Sequence, residues 1–173
     1  MKKVLLFLFI SLLSLPGITS TEYPKGIIKI PPRPAPFLSL ENMDGKKFTL
    51  NKTEQRWSFV HFWASWCGPC RREMPAIQAL IKTMNKRNID FFIVNTAESE
   101  DTIFSFLGAV APEIDTLLDR DGLTTEAWKP RGLPSTYLVD PNGYIQYVVI
   151  GGQDWRKIDY QQFLQHLPIL KKQ

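Results

Sequence analysis

The order of apolar and polar positions along the chain predicts strands and helices that alternate. Residues 57–64 are almost all apolar or aromatic, as expected of a strand buried on both faces of a sheet. The next segment repeats apolar residues at helical spacing, at Met74, Ile77, Leu80, Ile81 and Met84. Residues 89–95 predict a second buried strand. The pattern therefore begins as strand, helix, strand.

The second half of the chain continues this alternation and closes with a hairpin. The predicted elements are a helix at 99–107, a short strand at 116–118, a short helix at 121–128, strands at 135–139 and 144–150, and a last helix with apolar positions at Tyr160, Phe163, Leu164 and Leu167. Ser99 is the expected N-cap of the first of these helices, and Asp154 is the candidate cap of the last. The turn Asp140-Pro141-Asn142-Gly143 joins the two strands into an antiparallel hairpin.

The segment before the first buried strand contains a short hairpin and a proline-rich stretch. Residues 37–40 and 46–50 are the predicted strands of the hairpin, with Gly45 in its turn. The prolines within residues 30–36 favour the extended polyproline II conformation and cannot join the hydrogen-bond ladder of a β-sheet. Residues 21–36 are therefore predicted to be a stiff tether. We expect one α/β domain at 37–168, with a mixed central β-sheet flanked by helices and an extra N-terminal β-hairpin.

Residues 1–20 have the pattern of a secretory signal peptide. Lys2 and Lys3 precede an apolar run, and small polar residues follow the breaker Pro16-Gly17. The apolar stretch of about twelve positions is shorter than the roughly 20 that span a bilayer. We expect cleavage after residue 20 and a periplasmic or otherwise exported protein. Ile18 is bulky where a small residue is usual before the cut, so an uncleaved membrane anchor is the alternative.

The charge of the chain does not indicate a nucleic-acid partner. The sequence has 21 basic and 17 acidic residues and a formal net charge of +4. Without Lys2 and Lys3 the balance is 19 to 17, and basic residues form no long run outside the tail at 171–172. The remaining chain of about 153 residues is long enough for one domain with a single core.

The stretch FWASWCGPCRREMP holds the only two cysteines, Cys67 and Cys70. A disulfide between them closes a very short loop, and loop-closure stabilisation falls with loop length, so the pair serves chemistry better than structure. The predicted strand ends at Trp66 and the pair begins the next helix, where Pro69 lacks an N–H that would have no partner. The free N–H groups and dipole at a helix start favour a thiolate on Cys67. We expect Cys67 to attack and Cys70, one turn in and facing the core, to resolve.

Two other uses of a cysteine pair fit the sequence less well. A c-type haem site needs a histidine directly after the second cysteine, where this chain has Arg71. A structural zinc site needs four ligands, and the two histidines, His61 and His166, lie in different predicted elements. We therefore expect no metal and no organic cofactor.

The run FWASWCGPC resembles the active-site run of thioredoxin, and the longer pattern resembles the exported thioredoxin-like thiol-disulfide oxidoreductases of the TlpA/ResA type. The similarity extends over residues 37–167. It implies a thioredoxin-like fold and a cis peptide bond before Pro134, a proline that lies against the cysteines and positions a bound peptide. The residues expected to contact that peptide are Trp66, Gly68, Pro69, Leu133 and Pro134. Pro75 matches the family's helix proline, which removes one helical hydrogen bond and bends the helix.

The resemblance also singles out two titratable residues. Glu73 matches an acidic residue that the exported subfamily carries three places after the second cysteine. It either exchanges a proton with the Cys70 thiol or, as a first-turn acid, complements the helix dipole. His61 stands where thioredoxin has a buried aspartate, and it either relays protons or is a hydrogen-bonded core residue. Glu73 is the better candidate for proton transfer, so the expected catalytic residues are Cys67, Cys70 and Glu73.

We therefore expect a thiol-disulfide oxidoreductase that reduces disulfides of exported proteins. The resemblance implies a membrane-embedded thiol reductase as electron donor and apocytochrome c as a plausible client. The alternatives are a disulfide oxidase or isomerase, and a non-catalytic binding module with the same fold. Gly68 and Pro69 between the cysteines favour reduction, and Arg71 and Arg72 are expected to point to solvent.

Overall fold

A computed structural model of the chain describes residues 23–50, 56–84 and 89–168. The signal peptide predicted for residues 1–20 lies outside these ranges. The elements are β1 (Ile27–Pro34), β2 (Ser39–Glu41), β3 (Lys47–Thr49), β4 (Trp57–Trp63), α1 (Gly68–Met84), β5 (Ile89–Thr96), α2 (Glu100–Val110), β6 (Thr116–Asp119), α3 (Leu123–Trp128), β7 (Ser135–Val139), β8 (Tyr144–Ile150) and α4 (Ile158–Gln165). None of the helices within the described ranges is long and apolar enough to cross a membrane.

A six-stranded mixed sheet in the order β1-β8-β7-β4-β5-β6 forms the centre of the molecule. β4 pairs in parallel with β5, and β5 pairs in parallel with β6. β7 pairs antiparallel with β4, β8 with β7, and β1 with β8. Every residue of β4 is buried, as predicted for a central strand covered on both faces. The predicted α/β class with a mixed sheet is confirmed.

Each face of the sheet has its own hydrophobic core. Phe59 and Trp63 of β4 belong to one cluster with the apolar side of α1. Val60 and Phe62 of β4 belong to a second cluster, with Trp128 at the end of α3. Residues of β4 alternate between the clusters because successive side chains of a strand point to opposite faces. The candidate site follows directly at the C-terminal end of this fully buried strand.

The predicted N-terminal hairpin is confirmed. β2 and β3 pair antiparallel as a separate two-stranded sheet. Gly45 in the turn has a φ of 74°, in the left-handed region that favours glycine. Leu40 and Phe48 pack against the second core cluster, so the hairpin covers part of the sheet face opposite α1.

The prediction that the prolines at 30–36 cannot join a ladder is wrong. β1 pairs antiparallel with β8 and forms one edge of the sheet. The register of this pairing shifts between Lys29 and Arg33, and Pro31 and Pro32 lie inside that irregularity. An edge strand tolerates proline because its outward N–H groups have no strand to pair with. The segment is therefore part of the domain from Ile27 onward.

Of the two helix caps predicted from the sequence, one is confirmed and one is wrong. Ser99 caps α2 as predicted, since its side chain accepts a hydrogen bond from the Thr102 N–H. The prediction that Asp154 caps α4 is wrong. The N-cap is Lys157, which makes no capping hydrogen bond through its side chain. Asp154 instead pairs with Arg156 in the turn before the helix, at 2.6 Å.

Candidate active site

The cysteine pair lies where β4 passes into α1. The chain leaves β4 at Trp63 and turns over 64–67, with the Cys67 N–H donating to the Ala64 carbonyl oxygen at 3.2 Å. α1 then begins at Gly68, so Cys67 immediately precedes the helix and Cys70 is its third residue. The two cysteines are joined by a disulfide, with their Cα atoms 5.2 Å apart. The predicted placement at a helix N-terminus is confirmed.

The two sulfurs differ in access and in surroundings. Cys70 is fully buried, whereas Cys67 is 5% exposed. The Cys70 backbone N–H lies 3.2 Å from Cys67 Sγ, which places an otherwise unpaired helix N–H beside that sulfur. A negative charge on Cys67 is favoured by this N–H and by the positive end of the helix dipole. The geometry supports attack by Cys67 and resolution by Cys70, and these roles remain predictions.

Two tryptophans precede the pair and have different environments. Trp66 is 70% exposed directly before Cys67, so it presents a large apolar surface beside the disulfide. Trp63 is fully buried, its indole N–H donates to Thr116 Oγ1 at 3.1 Å, and its ring packs against Phe106. Contact of Trp66 with a bound peptide remains a prediction, while Trp63 serves the core.

The turn before the cysteines is held by a carboxylate that the sequence analysis missed. Glu98 accepts hydrogen bonds from the Ser65 N–H at 2.7 Å and from the Ser65 hydroxyl. Its third donor is the Asn95 side-chain amide at 2.7 Å. Arg71 is exposed, as predicted. Its guanidinium also donates to the Ser65 carbonyl oxygen at 3.2 Å and lies over the Phe106 ring. β4 pairs in parallel with β5, so the residues that follow the two strands lie at the same edge of the sheet. This pairing is the signal that could have placed Glu98 near Ser65.

The predicted cis-proline loop approaches the cysteine pair through two glycines. The Leu133–Pro134 peptide bond is cis, as expected. The Gly151 N–H donates to the Pro134 carbonyl oxygen at 2.9 Å. Gly152 packs so closely on α1 that a β-carbon there would lie 3.3 Å from the Pro69 carbonyl oxygen. The structure thus links the proline loop to the start of α1, and contact of these residues with a peptide remains a prediction.

Glu73 is buried inside this arrangement. It is the sixth residue of α1 and 3% exposed, so the interpretation as a first-turn acid is wrong. Its Oε1 accepts hydrogen bonds from the Gln153 N–H at 3.1 Å and from the Trp155 indole N–H. Its Oε2 has no hydrogen-bond partner among the described residues. Burial raises the pKa of Glu73 to about 7, although both hydrogen bonds oppose the rise.

A small cavity adjoins this carboxyl group. Its volume is about 210 Å³, and its lining includes Pro69, Glu73 and Gly152. Because Cys70 and Glu73 are three residues apart on one helix, their side chains lie on neighbouring turns of the same face. A buried carboxyl group with a pKa near 7 can give or take a proton at neutral pH.

His61 is a neutral core residue in this structure. It is fully buried on β4, and its Nδ1 lies 2.9 Å from Thr136 Oγ1. Its Nε2 has no hydrogen-bond partner within the described ranges. Burial lowers the pKa of His61 to about 3, so the ring is uncharged at neutral pH. These facts favour the interpretation as a hydrogen-bonded core residue.

The described residues also contain no group of three or more potential metal ligands.

Comparisons with known proteins show similarity over most of this chain. Residues 31–148 match the model of the AhpC/TSA family. The thiol-disulfide oxidoreductase ResA of Bacillus subtilis (strain 168) is 30% identical over 117 residues, and the match spans 68% of this chain and 65% of that protein. The thioredoxin-like protein YneN of the same organism is 32% identical over 119 residues, with 68% of this chain and 69% of that protein covered.

A solved structure extends the agreement to the fold. A crystal structure from Chlorobium tepidum, assigned to the thiol:disulfide interchange proteins as DsbE, superposes with a TM-score of 0.66 at 26% identity. The superposition covers 76% of this chain and 92% of that one. The thioredoxin-like fold expected from the sequence is confirmed.

Proposed function

Because this chain belongs to the AhpC/TSA family of thioredoxin-like proteins, we propose that it is a thiol-disulfide oxidoreductase that reduces disulfides of exported proteins. The observation that carries the proposal is the Cys67–Cys70 disulfide at the start of α1, where Cys70 is fully buried and Cys67 is 5% exposed. A structural disulfide across so short a loop would add little stability.

The reaction transfers two electrons from the enzyme dithiol to a client disulfide. The Cys67 thiolate attacks one client sulfur, which forms a mixed disulfide and releases the other client sulfur as a thiolate. The Cys70 thiolate then attacks Cys67 Sγ, which forms the Cys67–Cys70 disulfide and releases the second client thiolate. The client gains two thiols and the enzyme ends in the disulfide form.

Glu73 supplies the proton transfer that the second step requires. Cys70 is fully buried, so water has poor access to its thiol. Deprotonation of Cys70 is needed because the thiolate is the attacking species. Glu73 lies one turn along the same helix and has a pKa near 7. Its carboxylate accepts the proton of the Cys70 thiol and later releases that proton through the adjoining cavity.

The surroundings of Cys67 support a reducing direction for the reaction. Gly68 and Pro69 provide no charge and no side-chain hydrogen-bond donor to stabilise the thiolate further. We therefore infer a reducing potential, nearer the roughly −270 mV of thioredoxin than the roughly −120 mV of strong oxidants in the superfamily. A reductase in an oxidising compartment needs a constant electron source, which a membrane-embedded thiol reductase provides. Apocytochrome c is the client that the family resemblance suggests.

The test equilibrates the purified protein with glutathione at pH 7 and quantifies its free thiols, followed by an insulin-disulfide reduction assay. The proposal predicts a potential below that of glutathione and turnover of insulin. A potential well above glutathione would favour the oxidase or isomerase instead. A folded protein that fails to turn over insulin while still binding it would favour the non-catalytic module.

A further inference from the structure

The sheet face opposite α1 carries an open cleft near its β1 edge. Ile28 of β1 lies opposite Val148 of β8, and Val148 lies opposite Tyr137 of β7, so these three form one row across the strands. Ile28 is 48% exposed, and Ile150 in the next row is 37% exposed. Together with Ile30 they form the apolar floor of a cleft of about 220 Å³.

Three cations surround this floor. Arg33 comes from β1, and Lys129 and Arg131 follow α3. All three are exposed, and the Arg33 guanidinium lies 6.0 Å from the centroid of the Tyr137 ring. Within the described part of the chain, none of the three forms an ion pair with a carboxylate. The residues that line the cleft include no acid. The cleft therefore combines apolar surface with positive charge that no described group neutralises.

The cleft begins at the loop that carries the cis-proline. Ser135 lines the cleft and directly follows Pro134. Ile150, also in the lining, precedes Gly151, whose N–H donates to the Pro134 carbonyl oxygen. The next residue, Gly152, packs on Pro69 between the two cysteines. A polypeptide held at the disulfide can therefore extend past these glycines into the cleft with its neighbouring residues.

We propose that this cleft binds an acidic, amphipathic segment of the client polypeptide that flanks the disulfide being reduced. Apolar side chains of the segment cover Ile28 and Val148, while its carboxylates lie beside Arg33, Lys129 and Arg131. A small inorganic anion would leave the apolar floor exposed to water, so charge and surface together favour a peptide. This inference rests on the proposed function, because it adds a specificity for clients to the same site.

The test compares two peptides with the same disulfide and the same apolar flank, one with glutamates and one with glutamines beside it. The wild-type protein should reduce the glutamate peptide with a kcat/KM about tenfold higher at low salt, since three exposed charge pairs each contribute modestly and are screened by salt. The combined variant Arg33→Gln, Lys129→Gln, Arg131→Gln should bring the ratio of the two peptides to about one.

A matched variant distinguishes an effect of the cleft on the peptide ratio from an effect of the overall charge of the protein. Lys46→Gln, Lys47→Gln and Lys157→Gln together remove the same charge from residues outside the cleft lining, and the tenfold ratio should persist. A ratio near one in the wild type, or an equal loss in both combined variants, would overturn the inference. A ratio near one together with cleft-dependent binding to phosphatidylglycerol vesicles would assign the cleft to an anionic membrane instead.

Failure of the proposed function is detected separately. Reduction of hydroxyethyl disulfide, a small neutral substrate, reports the dithiol chemistry without the cleft. If the wild type does not reduce it, the proposed function is wrong. Fluorescence titration with cysteine-free versions of the two peptides then still tests the cleft, since tighter binding of the glutamate peptide requires no turnover.

Discussion

Replacing Glu73 with glutamine should change how stability depends on pH. The pKa of Glu73 is about 7 in the folded protein and 4.5 as the ordinary reference. Between those values the folded protein holds a proton that the unfolded chain has lost. The favourable contribution of this group is therefore complete below pH 4.5 and is lost as pH rises through 7. One pKa unit corresponds to about 1.36 kcal/mol, so the loss amounts to about 3 kcal/mol.

The pH dependence of the wild-type unfolding free energy would by itself conceal this effect. The pKa of His61 is lowered from 6.5 to about 3, so this residue makes the folded protein less stable as pH falls below 6.5. Between pH 4.5 and 6.5 that contribution is also about 3 kcal/mol and has the opposite sign. The two buried groups nearly cancel, and only the difference between Glu73→Gln and the wild type isolates the carboxyl group.

The assay is urea unfolding of the oxidised proteins from pH 4 to 8.5, with the unfolding free energy extrapolated to water. Relative to the wild type, Glu73→Gln should gain about 3 kcal/mol between pH 4 and pH 8. Glu113→Gln, which removes an exposed carboxylate paired with Lys82, is the control and should give a nearly constant difference. If the Glu73→Gln difference is also constant, Glu73 titrates as an ordinary surface acid and the argument from burial fails.

Four further outcomes are expected. Cys70→Ser should accumulate mixed disulfides with clients and Cys67→Ser few, as non-reducing electrophoresis of the exported fraction would show; equal trapping contradicts the assigned roles. Glu73→Gln should slow resolution by Cys70 at neutral pH in stopped-flow measurements, and an unchanged rate would leave it no part in proton transfer. Glu98→Ala, which leaves a backbone N–H before the cysteines without its acceptor, should lower the unfolding free energy by about 1–3 kcal/mol in urea titrations, and no loss would contradict the role of Glu98 in holding that turn. His61→Asn should remove a fall in stability of about 5 kcal/mol between pH 6.5 and 3, as urea unfolding over that range would show. If the variant loses as much stability as the wild type over that range, the imidazole is solvated.

The features that the sequence predicted correctly depend on short stretches of chain. The bounds of β7 and β8 agree with the predicted hairpin because the turn between them is determined locally. Asp140 accepts hydrogen bonds from the N–H groups of Asn142 and Tyr144, both within four residues. The placement of Cys67 and Cys70 at a helix start is likewise a property of adjacent residues.

The features that the sequence could not predict join distant segments. Glu98 and Ser65 are 33 residues apart, and Glu73 and Trp155 are 82 residues apart. Periodicity identifies a buried face but not which remote side chain reaches it. Family resemblance singled out Glu73, and nothing in the sequence pattern identified the groups that hold its carboxyl. The same limit explains the error over the segment at 30–36, whose partner strand lies more than 100 residues later.

The edge strand β1 has a consequence for the tendency of the protein to aggregate. Exposed sheet edges recruit unpaired strands from other chains, and this leads to aggregation. Pro31 and Pro32 offer no N–H to such a strand, and the shifted register around them interrupts the regular ladder that it would extend. Under the proposed function, the protein binds client polypeptides that present unpaired strands. Its proline edge would then let it bind such clients at the disulfide without becoming a template for their assembly.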